Sequence, residues 1–227
     1  MGELRERKKL ETRRRISDVA TALFFERGFD AVTVDEIAAA AGVSKVTVFN
    51  YFTRKEDLHV DREEDVKALL REAIATRAKG DSPVDALRRL ADRLVAEQSP
   101  YACVSSLTVG WWRVVAASPS LQARLRELGD AVTESLAFEL SASKPDGPAR
   151  LVAGMVVLTW RTAYSEAIRV FDGGGSAKKV STTFIQLIDR GFAAVRVLAA
   201  QPGEKAQPKA QARPEEAVRR RAARQAR

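Results

Sequence analysis

The chain has 227 residues but only one cysteine, Cys103, and one histidine, His59. A single thiol excludes a disulfide within the chain and suits a reducing compartment. With no Cys/His cluster, no metal site is expected. No segment alternates polar and apolar residues with period two, so no sheet is expected. The most apolar run, around Leu151 to Trp160, is about ten residues, half of what a membrane-spanning helix needs. The opening MGELRERKK is charged and lacks an apolar stretch, so neither a signal peptide nor a membrane partner is expected, and the expected location is cytoplasmic. There is no G-x-S-x-G, no glycine-rich phosphate loop after a strand and no histidine-centred dyad. Gly173-Gly174-Gly175 lacks the strand-before, helix-after context of a nucleotide fold. An enzyme is therefore not expected, and no cofactor is implied.

What the chain does have is helix-forming composition and positive charge at its ends. Apolar residues make up 45% of it, enough for a core, and alanine and leucine are plentiful. Net charge is +8, and its location matters more than its size. Residues 1–15 carry seven Lys/Arg against three Glu, and residues 201–227 carry eight against three, so the body between is nearly neutral. Basic tails of this kind bind phosphates non-specifically through counterion release.

Periodicity is helical throughout. Ile16, Val19, Ala20, Leu23 and Phe24 form one stripe of a first helix that begins between Glu3 and Thr12 and ends at Gly28. Thr33 and Glu36 read as a capping box opening a second helix, and Ser44 as the cap of a third. Thr53 to Glu56 reads as another capping box, opening a long fourth helix through Ile74 to Gly80. Further helices are predicted from Ser82-Pro83 to Gln98, Ala102 to Ala117, Ser118-Pro119 to Leu140, Ala149 to Phe171 and Lys178 to Ala200. Residues 201–227, rich in Pro, Gln, Ala and Arg, read as a disordered basic tail. The expected fold is all-α, with about nine helices.

The densest information lies in VDEIAAAAGVSKVTVFNY, Val34 to Tyr51. Ile37, Ala38, Ala41, Val43, Val48 and Tyr51 recur where two short helices must pack. Gly42 sits in the turn, where a left-handed backbone is cheap only for glycine. This is the pattern of a helix-turn-helix, about residues 33–52, whose second helix enters the DNA major groove. Several side chains there can meet DNA. Thr33 and the start of its helix can hold a phosphate, as can Ser44. Lys45 can reach a guanine edge or a phosphate. Thr47 can offer its methyl to thymine or its hydroxyl to a base or phosphate. Asn50 can pair with adenine, and Val46 lies on the same helix. Arg13, Arg14 and Arg15 precede the first apolar stripe; at least one is expected to reach backbone or minor groove, with Arg14 the central candidate.

The run SKVTVFNYFTRKEDL, Ser44 to Leu58, resembles the signature of the tetracycline-repressor (TetR) family of bacterial regulators, through Val43, Ser44, Thr47, Tyr51, Phe52, Lys55 and Leu58. The stretch FFERGFDAVTVDEIAAAAGVS resembles the family's first two helices. The close resemblance covers about residues 12–60; beyond it the chain is similar only in length and helical character. The resemblance implies a DNA-binding domain over 1–58 and a ligand-binding and dimerisation domain over 59–200. It implies a homodimer on a pseudo-palindromic double-stranded DNA operator, repression, and a small-molecule effector that moves the fourth helix. It also implies backbone contacts from Tyr51 and a phosphate contact from Lys55. Phe49 departs from the family, which usually has a phosphate-binding tyrosine there; the lost hydrogen bond is worth about 1 kcal/mol.

In the second domain, Trp111, Trp112 and Arg113 on one helix and Trp160 and Tyr164 on another could line a site for a planar or anionic ligand, although for each residue singly the plainer reading is stronger, the aromatics in the core and the arginine reaching solvent. Ala153, Gly154, Ala163, Ala167, Gly191, Ala193 and Ala194 give the two last helices small faces. These helices, about 149–171 and 178–200, are predicted to pair with their symmetry mates in a four-helix interface. Two other readings are weaker. One is a small-molecule or protein-binding module with a degenerate DNA-binding domain, supported only by Phe49. The other is an architectural DNA protein acting through its tails.

Overall fold

Nine α-helices and one 3-10 turn make up residues 2–141 and 144–200, which the computed structural model describes, with side chains from residue 6 onward. The basic tail over 201–227 lies outside the described residues. No strand occurs among them. No helix among them is long and apolar enough to cross a membrane.

Helix α1 (Gly2–Arg27) stops where Gly28 adopts φ +81° and its N–H bonds back to the Phe24 carbonyl at 2.9 Å. Helices α2 (Val34–Ala40) and α3 (Lys45–Tyr51) follow, each with the N-cap its sequence predicts.

The fourth helix is a correction. The cap falls one residue later than expected and is one-sided, with the Arg54 N–H donating to Asp57 Oδ2 at 3.1 Å, and it opens only the 3-10 turn Lys55–Leu58. The chain then leaves helical geometry, and α4 (Glu63–Ala75) starts afresh. The reason is burial: Leu58, His59 and Val60 are 1%, 2% and 3% exposed. Three consecutive side chains cannot all face inward from one helix stripe, so the helix must break to bury them. At the far end, α4 stops at Ala75 rather than Gly80, with Arg77 Nη1 donating to the Ile74 carbonyl at 2.6 Å.

Helix α5 (Pro83–Ala96) begins at its Ser82 cap as predicted. Helix α6 (Ser106–Ala117) starts later than Ala102, because Ser105 and Thr108 cap each other's backbone N–H at 2.8 and 3.3 Å. Helix α7 (Pro119–Leu140) follows the Ser118-Pro119 signal, and α8 (Gly147–Asp172) starts slightly early, on an Asp146 cap. Helix α9 (Ala177–Ala200) closes the described chain.

The interior divides in two. The larger core gathers Leu87, Leu90, Leu136, Val156, Phe184, Ile188 and Phe192 from α5, α7, α8 and α9. The smaller joins α1 to α3, through Ile16, Phe24, Ile37, Val48 and Phe52, to Val115 of α6 and Leu121 of α7. The small residues of α8 and α9 serve this interior more than an outer face. Ala153, Ala163 and Ala167 are fully buried within one chain. Gly191 lies so close to Thr159 that a Cβ there would overlap it. Within the chain they bring α8 against α9 and α7, while Ala193 and Ala194 are exposed.

Candidate nucleic-acid interface

The two short helices are set by three local devices. Thr33 Oγ1 accepts from the Glu36 N–H at 3.2 Å, while Glu36 Oε2 accepts from the Thr33 N–H at 2.7 Å. Gly42 turns the chain at φ +66°, and the Val43 N–H returns to the Ala38 carbonyl at 3.0 Å. Ser44 Oγ then accepts from the Thr47 N–H at 3.1 Å and opens α3. Ile37, Ala38 and Ala41 of α2 bury against Val48 of α3. With Val48 inward, Lys45, Val46, Phe49 and Asn50 face out. That outward face is what a groove-reading helix requires.

The predicted contact residues differ in how freely they are presented. Thr33 is exposed, but its hydroxyl and N–H are both engaged by Glu36, whose carboxyl these bonds hold down at about 2, with Arg27 adding to the effect. The start of α2 therefore already carries an anion, which a phosphate would have to displace. Lys45 Nζ is drawn to Asp35 at 2.9 Å. Thr47 Oγ1 lies 2.8 Å from Ser44 Oγ. Asn50 makes no side-chain hydrogen bond among the described residues. Tyr51 is half-buried at the edge of the small core.

Lys55 is folded inward. Its ammonium donates to the Phe29 carbonyl at 2.5 Å and sits 4.2 Å from the Phe29 ring centroid, and burial lowers its pKa. Of the three arginines, Arg13 is structural: it spans the Phe52 ring at 4.8 Å and reaches Asp61 at 3.6 Å. Arg14 and Arg15 are exposed.

The aromatic residues considered for a ligand site are tied into the scaffold. Trp111 Nε1 donates to the His59 carbonyl at 3.0 Å, and its indole stacks on the His59 ring at 4.8 Å. Trp112 packs edge-on against Trp111 and near Tyr164. Trp160 Nε1 donates to the Tyr101 carbonyl, and the Tyr164 hydroxyl to that of Pro100, each at 2.8 Å. Arg113 points outward and pairs with Asp172 at 2.8 Å. Thus Trp111, Trp112 and Tyr164 form one cluster, Trp160 reaches it through Phe184, and Arg113 stands apart. Two shallow depressions lie elsewhere, one on α8 and α9 beside Glu166 and Arg190, the other between α4 and α5 beside Arg77 and Arg89.

The junction between the two cores holds residues that sequence reasoning missed. His59 Nε2 lies 3.2 Å from the Trp111 carbonyl, answering the bond from Trp111. Arg124 of α7 binds Asp57 at 2.7 Å and Glu63 at 2.9 Å, and Arg54 binds Glu127 at 2.7 Å. The lone histidine and a tryptophan were visible as oddities, but no spacing rule links positions so far apart.

Residues 16–60 match the family model described as bacterial regulatory proteins, tetR family. MftR of Mycobacterium tuberculosis, named as a candidate mycofactocin biosynthesis transcriptional regulator, is 47% identical over 49 residues, covering 22% of this chain and 25% of its own. The HTH-type transcriptional regulator TcmR of Streptomyces glaucescens is 31% identical over 84 residues, 37% of each chain. The matches thus span between a quarter and somewhat over a third of these relatives' lengths. The solved SmeT–triclosan complex has the same fold over 88% of this chain and all of its own, with a TM-score of 0.55 and 19% identity. The capped, glycine-turned pair of helices lies inside the matched segment, so over residues 16–60 this chain is similar to the tetR family of bacterial regulatory proteins.

Proposed function

We propose that the protein is a dimeric, operator-binding transcriptional regulator, most simply a ligand-responsive repressor. In this reading residues 1–58 form the DNA-binding unit and 59–200 the effector and dimerisation unit. The observation that carries it is the outward face of α3, held on a buried Val48 and free of covering elements among the described residues. Lys45, Val46, Thr47, Phe49 and Asn50 supply the groove-facing surface; Thr33, Ser44, Tyr51, Lys55 and Arg14 supply the flanking backbone contacts. Lys45 must release Asp35, an exposed pair that parts at little cost, and Lys55 must swing out from the Phe29 carbonyl and ring against which it is folded.

Dimerisation is supported by apolar side chains that the single chain leaves uncovered on α8 and α9: Leu151, Leu158 and Val197 are 54%, 52% and 65% exposed. Scattered apolar exposure is ordinary, but a stripe along two long neighbouring helices suits an isologous contact. Effector binding is supported by the family and by a fold neighbour solved with triclosan. A ligand at the Trp111–Trp112–Tyr164 cluster would have to loosen existing packing.

Selection of bound duplexes from a random DNA library at near-physiological salt tests the reading. A pseudo-palindrome with half-sites about one helical turn apart or modestly more is expected. Salt-sensitive binding with no enriched motif would refute it.

A further inference from the structure

The polar side chains of α3 are largely occupied within the protein: the Lys45 ammonium by Asp35 at 2.9 Å and the Thr47 hydroxyl by Ser44 Oγ at 2.8 Å. Beside Lys45 and Asn50, α3 holds out two apolar side chains. Val46 is 70% exposed and Phe49 46% exposed. Three residues apart, they share one face of the helix, and Asn50 adjoins both. Phe49 has no hydroxyl, so it offers a groove only apolar contact. Among the base edges of the major groove, the one apolar group is the 5-methyl of thymine, and the base that an amide side chain matches in two bonds is its partner, adenine. Charge favours a duplex over a protein as the occupant. Residues 1–15 carry seven Lys/Arg against three Glu, and Arg13 among them lies over Phe52, just past the end of α3.

We propose that α3 reads its operator by burying thymine 5-methyl groups against Val46 and Phe49, with Asn50 on a neighbouring adenine. This rests on the DNA-binding reading above and adds the chemistry of its selectivity: A·T pairs at the centre of each half-site, recognised as much by shape and methyl contact as by hydrogen bonding.

The test uses the full chain and the duplex enriched by selection. Each thymine of a half-site is replaced in turn by uracil, which removes the methyl and leaves the pairing edge and O4 in place. At one or two positions per half-site, affinity is expected to fall about fourfold, the worth of one buried methyl. The Val46→Ala and Phe49→Ala variants should bind more weakly and lose the distinction between thymine and uracil at those positions. Because the uracil comparison alters only the DNA, it does not depend on how any variant folds. Selective binding that ignores every thymine-to-uracil change overturns this proposal and leaves the regulator reading intact. No selective binding at all overturns both, and would leave Val46 and Phe49 to a protein partner.

Discussion

Replacing His59 by phenylalanine should invert the stability order of the two proteins between pH 8 and pH 4. The imidazole is 2% exposed, stacked on Trp111 and edge-on to Phe24 at 5.7 Å. Because Nε2 faces a carbonyl, the neutral ring must carry its proton there, and protonation would add a second N–H at Nδ1, which is buried without a partner. Burial accordingly lowers its pKa from 6.5 to about 4, and the bond to the Trp111 carbonyl offsets this only in part. The unfolded chain takes up this proton at its ordinary pKa and the folded chain only near 4. Its contribution is therefore intact above pH 6.5 and lost as pH falls toward 4. A shift of that size corresponds to about 3 kcal/mol. Phenylalanine keeps the ring and the stack but loses one hydrogen bond, about 1 kcal/mol. At pH 8 the variant should be the less stable by about 1 kcal/mol, and at pH 4 the more stable by about 2 kcal/mol. Urea unfolding followed by tryptophan fluorescence, at fixed protomer concentration across this range, reads the difference directly. Other carboxylates titrate equally in both proteins and cancel. Parallel stability curves would refute the account.

Four further outcomes follow from the same structure. Arg124→Ala leaves Asp57 and Glu63, 18% and 22% exposed, without their shared cation; unfolding should become easier by about 2 kcal/mol, below the range for fully buried pairs. Glu63 is held below the usual carboxylate range chiefly by Lys67 and further by Arg124; since that stabilisation disappears as pH falls through the folded pKa, the Arg124 effect should shrink in acid, and a constant effect would count against it. Gly191→Ala should lower stability by about 1 kcal/mol or more although alanine is the better helix former, because the stiff Thr159 side chain cannot retreat from the new methyl; a rise in melting temperature would show the α8–α9 contact to be looser. Lys55→Ala should weaken binding to all duplexes and reduce the salt slope by about one, whereas Asn50→Ala should change base preference at one position per half-site. An unchanged preference removes Asn50 from the base-reading set.

The N-terminal unit was legible because its determinants are local. Thr33 with Glu36, Gly42 and Ser44 act within four residues of their targets, so spacing alone locates them. The same logic misplaced the start of α4. Thr53 to Glu56 has the letters of a capping box, but the burial demanded at Leu58, His59 and Val60 comes from α1 and α6, which no local pattern reports. Likewise Trp111, Trp160 and Tyr164 stood out as aromatic and polar-tipped, yet their polar atoms are satisfied by backbone carbonyls at His59, Tyr101 and Pro100. A tryptophan beside a ligand and a tryptophan bracing a loop look the same in a sequence; only the partner distinguishes them. The small residues of α8 and α9 admit two readings for a related reason, since close approach within a chain and between chains asks for the same side chains.

The break before α4 changes how movement can reach α3. A continuous helix from residue 53 would act as one rod between the two cores. Instead α4 has 13 residues and meets the N-terminal helices through the bend at residues 59–62. The firm links run elsewhere: the paired His59–Trp111 bonds join that unit to α6, and Arg54 and Asp57 join it to α7 through Glu127 and Arg124. Trp112 follows Trp111 on α6 and lies against Tyr164 of α8, so displacement within the larger core can be delivered to residue 59 through packed rings. The aromatic cluster would then matter to regulation even if no ligand touches it. A Trp111→Phe variant keeps much of the packing but removes the donor to the His59 carbonyl. In a regulator that responds to an effector, it should reduce the difference in operator affinity between the two ligand states more than it alters operator affinity alone. Equal loss in both states would assign Trp111 to stability rather than to coupling.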